Sequence, residues 1–152
     1  MKKISLLTLG LSLSMAALCL ASPQMGTWKL NESRSKIAKG MGKNTKVTYE
    51  AMGDKVKVTV DGVDAEGKAS HNEWTGKFDG KDYAVTGDPV SDMRAYKRVD
   101  DNTLELTSKK DGKVTATGKI VVAKDGKSRT VTTSGTDANA KKFESMSFYD
   151  KG

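Results

Sequence analysis

From residue 45 onward, apolar and polar side chains alternate almost one by one. Val47, Tyr49 and Ala51 fall on one face, with Lys46, Thr48 and Glu50 on the other. After Met52-Gly53-Asp54 the rhythm resumes, with Val56, Val58 and Val60 set against Lys55, Lys57, Thr59 and Asp61. A period of two marks a half-buried strand, because successive side chains leave a pleated backbone on opposite faces. β-branched residues suit the packed face and lysines the wet one. Counting the opening run Gly26-Thr27-Trp28-Lys29-Leu30-Asn31, the pattern predicts about ten strands: 26–31, 45–51, 55–61, 68–78, 82–86, 91–99, 103–108, 113–123, 128–134 and 142–149.

The connections are short and rich in turn residues. Asp111-Gly112 and Asp125-Gly126 are strong two-residue hairpin signals. Such links join antiparallel neighbours. The expected fold is therefore all-β: an antiparallel up-and-down meander of about ten strands, closed into a barrel because closure removes exposed edges. A two-layer sandwich is the alternative. Residues 32–44 break the pattern. They hold Arg34, Lys36, Lys39, Lys43, Gly40 and Gly42 and read as a basic loop with a short helix at most, either a lid or anion-attracting mouth or a plain solvated loop. The repeated aspartates at the turns read as turn formers. Asp61, Asp64 and Glu66 lack the spacing of a calcium loop.

The first 21 residues differ from the rest. Lys2 and Lys3 precede an apolar run, and seven of the ten leucines lie there. This predicts a secretory signal peptide over 1–21, cut after Ala21, and a single domain over 22–152, periplasmic or secreted. The rivals are an uncleaved anchor and lipidation at Cys19. Leu18 before that cysteine fits a lipoprotein signal poorly. Removing 21 of 152 residues leaves 131, with no cysteine and so no disulfide framework. Few large apolar residues remain, which suits a barrel with a partly wet interior.

Charge and chemistry narrow the function. Lys2 and Lys3 leave with the leader, so 26 basic against 19 acidic residues becomes 24 against 19, a net +5. The lysines are spread along the strands rather than clustered in a stripe, so no nucleic-acid partner is expected. His71 is the one histidine. No nucleophile elbow or metal spacing accompanies it, so neither enzyme activity nor a metal site or cofactor is expected.

Gly26-Thr27-Trp28-Lys29-Leu30 resembles the opening strand of the calycin group, the lipocalins and fatty-acid-binding proteins, in which a Gly-x-Trp strand begins the barrel and its Trp closes one end. The chain also resembles small exported bacterial proteins without a firm function. The likeness implies a barrel that carries a small apolar or amphipathic molecule. Residues 32–44 are too short for the helix pair of the fatty-acid-binding branch. That branch ends in Arg-x-Tyr, which holds a ligand carboxylate; here the match is Ser147-Phe148-Tyr149, without the Arg. Arg94, Arg98 and Arg129 are the candidates to replace it if one points inward; otherwise each is a solvated strand residue.

The ligand-lining candidates are Tyr49, Val58, Trp74, Phe78, Tyr83, Leu106, Ile120 and Phe148, with Trp28 assigned to barrel closure. The alternative function is a structural or protein-interaction module with a filled barrel, meeting an envelope surface or an acidic protein. A monomer is expected in either case.

Overall fold

A computed structural model describes residues 22–152. The leader and the question of Cys19 lie outside these described residues. Ten antiparallel strands close into one barrel: β1 (Gly26–Leu30), β2 (Lys43–Met52), β3 (Lys55–Val63), β4 (Ala69–Gly76), β5 (Tyr83–Thr86), β6 (Met93–Arg98), β7 (Thr103–Lys110), β8 (Lys113–Val122), β9 (Ser128–Thr136) and β10 (Lys142–Lys151). Each strand pairs with its sequence neighbour, and β1 closes on β10 through Trp28–Lys151, Lys29–Asp150 and Leu30–Tyr149. The meander and its closure follow the alternation in the sequence.

Turn chemistry explains the many aspartates. The carboxylate of Asp64 accepts the N–H groups of Glu66 and Lys68 at 3.0 and 2.8 Å. Asp79, Asp88, Asp100, Asp125 and Asp137 each accept an N–H two residues on. Each side chain thus mimics a backbone turn and satisfies a donor that the ladder leaves free. Asp111 and Gly112 both take positive φ, 50° and 78°, the geometry of a tight turn matched to strand twist.

The expected loop over residues 32–44 is shorter and more structured, because β2 already begins at Lys43. After the 3₁₀ turn Glu32–Arg34, the chain continues along β10 in the same antiparallel sense as β1. Lys36 and Met146 exchange backbone hydrogen bonds of 2.7 and 2.8 Å. Ser35 Oγ accepts from Phe148 N–H, and Ser145 Oγ accepts from Ala38 N–H, both at 2.9 Å. The segment therefore covers the part of β10 that five-residue β1 is too short to reach. It is a seam of the wall. Next to it, the register of β2 shifts between Asn44 and Lys46, and Tyr149 donates its O–H to Asn44 O at 2.9 Å. One side chain thus links β10 to β2 across the closure.

The base of the barrel is sealed around Trp28, which is fully buried. Its Nε1–H donates to Gln24 O at 2.8 Å, and the buried Gln24 side chain donates to Asn102 O at 3.3 Å. Lys151 Nζ lies 4.4 Å from the indole centroid and donates to Met25 O. The residues before β1 therefore act as a plug that the indole and the last strand hold in place.

Truncating this indole removes a large core side chain and its hydrogen bond together. Trp28→Ala should lose about 3–5 kcal/mol of unfolding free energy in urea. A loss below about 1 kcal/mol would show that the base is not sealed there.

Candidate functional site

The registers set inward side chains in rows across the wall. Tyr49, Val58, Trp74 and Val85 form one row over β2 to β5. All four are buried. Another joins Tyr96, Leu106, Gly118, Thr133 and Ser145 over β6 to β10. A third holds Leu104, Ile120, Val131 and Ser147. Of the lining candidates, Tyr49, Val58, Trp74 and Ile120 are buried, while Phe78, Tyr83 and Leu106 are half-buried against them.

Four rings meet at the centre. Trp74 and Tyr96 lie 4.7 Å apart at 77°, and Phe78 is 5.9 Å from Tyr96 and 6.4 Å from both Tyr49 and Trp74. Tyr83 adds an edge contact to Trp74 at 5.6 Å. Such pairs add about 0.5–1.5 kcal/mol each beyond area burial, so this centre is well packed. Trp74 Nε1–H donates to Arg94 O at 2.8 Å, which leaves no unpaired indole donor in the apolar interior.

Phe148 is a correction. Tyr149 is buried and faces inward, so its neighbour Phe148 takes the outer face. There the Arg34 guanidinium stacks over it at 3.5 Å. It cannot line the interior.

The three arginines, candidates for a ligand anion if inward and solvated residues otherwise, divide between those alternatives. Arg98 does sit at the surface, paired with Asp101. Arg94 is buried, and its guanidinium is satisfied by Asp88 at 3.2 Å and Asn72 at 3.3 Å. Arg129 is only 2% exposed, and no carboxylate pairs with it among the described residues. Three rings surround it instead: Trp28 at 4.9 Å, Tyr49 at 5.0 Å and Tyr149 at 4.9 Å. Its Nε and Nη1 are buried without a hydrogen-bond partner among the described residues.

Magnitudes show what is missing at Arg129. Burying an ion costs several kcal/mol. Each desolvated cation–π contact returns about 2 kcal/mol, so three rings roughly offset the charge. They offer nothing to the N–H groups, and each unmade hydrogen bond costs about 1–3 kcal/mol. The site thus holds a charge and lacks an acceptor. One signal for it was present in the sequence: Arg129 shares its strand parity with Val131, the one large apolar residue of that strand.

Burial raises the neighbouring phenols. Tyr149 is pushed up to about 12, and Tyr96 is raised by burial and by Tyr49 beside it. Lys151 is lowered by burial and by Arg129. On the outer face, His71 is raised by Asp61, 2.6 Å from Nδ1, and then by Glu73; it lies outside the interior. The concavities found along the β7–β10 wall are open to solvent. One runs over Leu106, Gly118 and Thr133, and the other lies between Gly135 and Phe143.

No protein-family model matches the chain, and no curated protein matches it in sequence. The observed fold, a closed ten-strand antiparallel barrel, agrees with a calycin-like architecture.

The raised phenol gives a signed pH dependence. Because Tyr149 is harder to ionise folded than unfolded, its contribution to stability is whole below its ordinary value of 10.0 and is lost as pH rises towards about 12. Phenolate absorbance should show at least two fewer tyrosines titrating near pH 10 than in the urea-unfolded chain, because Tyr96 is raised as well as Tyr149, and Tyr149→Phe should remove one late step. Titration of all four tyrosines together near 10 would contradict this burial.

Proposed function

We propose that this protein is an exported, lipocalin-like barrel of the calycin type that binds one small amphipathic molecule with an anionic head. The observation that carries this reading is Arg129: a buried cation, held by rings, with two donors and no acceptor among the described residues. A carboxylate or phosphate would supply charge and acceptors together, and charge-assisted bonds of that kind are roughly twice as strong as neutral ones. Tyr49, Trp74, Leu106 and Ile120 would take the apolar part. The protein acts as a monomer in the periplasm or outside the cell. It performs no catalysis, needs no cofactor and does not engage nucleic acid.

The packed ring centre favours a second reading, a filled barrel that serves as a structural or interaction module of the envelope. The two readings part at Arg129. In the filled barrel its charge only fills space.

Titration with the fluorescent anion anilinonaphthalene sulfonate tests this. In Arg129→Met the dissociation constant should rise at least about tenfold, about 1.4 kcal/mol. The urea midpoint should hold or rise, because a buried unpaired charge gives way to an apolar group of similar length. Equal affinity in both proteins, or no uptake by either, would sink the carrier reading and leave the filled barrel.

A further inference from the structure

The wall is not uniform. Strand β5 spans just Tyr83–Thr86. Glu73–Thr86 and Trp74–Val85 join it to β4, and Tyr83–Arg94 and Ala84–Met93 join it to β6. By comparison, β9 and β10 pair continuously from Thr136–Lys142 to Ser128–Asp150. Below Trp74, the last residues of β4 have no β5 partner.

Residues 77–82 fill that opening. They leave β4 and hydrogen-bond to β6 instead: Arg98 N–H donates to Phe78 O at 3.3 Å, and Gly80 N–H to Tyr96 O at 2.9 Å. Asp79 faces Lys97 in an isolated bridge. Other ties are exposed: the Lys77–Asp54 ion pair at 3.1 Å and the Tyr83 O–H to Asp79 bond at 2.8 Å. Exposed ion pairs contribute at most about 1 kcal/mol each. Two backbone bonds add about 0.5–1.5 kcal/mol apiece. The backbone of the flap is therefore held far more weakly than that of the β7–β10 wall.

Side chains close the opening where backbone does not. A Cβ on Gly76 would sit 2.5 Å from Tyr83 Cγ, so the Tyr83 ring lies directly on that glycine. Phe78 points from the flap onto Tyr49 and Tyr96. Within the ring cluster Tyr49, Trp74 and Tyr96 are buried, whereas Phe78 and Tyr83 are half-exposed. Tyr49 in turn stacks on Arg129. From solvent to the guanidinium, this route crosses Phe78 and then Tyr49.

We infer that residues 77–82 form a side port of the barrel, with Phe78 as its gate, through which an anionic amphipath reaches Arg129. The inference rests on the carrier reading above. It also accounts for a centre that is packed yet able to take a ligand: the flap swings out, Phe78 leaves the cluster, and the apolar chain takes the ring's place. Motions of such segments run on the microsecond-to-millisecond scale and commonly limit exchange.

A staple across the bridge tests it. Asp79→Cys with Lys97→Cys pairs two exposed, directly opposed positions, and Cys19→Ser removes the chain's own cysteine. Oxidised, this variant should bind and release anilinonaphthalene sulfonate at least about tenfold more slowly than when reduced, with its dissociation constant within about twofold. Unchanged rates on oxidation would overturn the port while leaving the carrier reading in place. Amide exchange judges the port without any ligand. The Gly80 and Arg98 amides should exchange at least about a hundredfold faster than those of the β8–β9 pairing, and the staple should abolish the difference. Equal protection in the unstapled protein would overturn the port even if the probe binds. Fast flap exchange with no probe uptake would instead refute the carrier reading and leave an opening that admits no ligand, which also ends the port's proposed role.

Discussion

A guanidinium inside an apolar barrel must be held by its surroundings, and Arg129 is held by rings. The ring centroids of Trp28, Tyr49 and Tyr149 lie 4.9, 5.0 and 4.9 Å from its guanidinium carbon. Those rings come from β1, β2 and β10, the three strands that meet at the closure. The same contacts therefore centre the charge and join the two ends of the sheet. Tyr149 reaches Asn44 O across the seam, and Trp28 holds the plug through Gln24 O. Displacing those rings, rather than the charge they hold, would loosen the closure.

The two buried arginines show how one side-chain type serves two ends. Arg94 has an acid, an amide and a hydroxyl-bearing loop around it: Asp88 also accepts from Ser91, and the whole set pins residues 87–92. Its donors are met within the protein, which is what a structural ion pair requires. Arg129 has charge compensation from π-faces and, among the described residues, no acceptor for Nε or Nη1. A residue arranged in that way suits a visitor that brings oxygen atoms. Near it the interior is apolar, and toward β8–β10 it turns to small and polar groups such as Gly118, Thr133 and Ser145.

The architecture was legible because strand periodicity is local. Val56, Val58 and Val60 declare their face within five residues, and Asp-Gly pairs declare their turns. What the sequence hid was set by long-range placement. Residues 31–42 look like a solvated loop, and only β10, more than a hundred positions later, makes them a seam. Phe148 looks like a core ring because both faces of β10 carry apolar residues: Met146 shares its parity, and Tyr149 shares that of Phe143. Arginine on a strand is mostly solvated, so the sequence does not lift Arg129 above Arg94 and Arg98. The parity of Arg129 with Val131 argued the other way, but the three rings that offset its burial come from elements scattered along the chain.

The most direct measurement is native mass spectrometry of the barrel isolated from its own host, wild type beside Arg129→Met. The account predicts that wild type keeps a small acidic amphipath, seen as a discrete added mass, and that the variant loses it. Identical spectra, both bare or both carrying the same molecule, would contradict a charge-recognising interior.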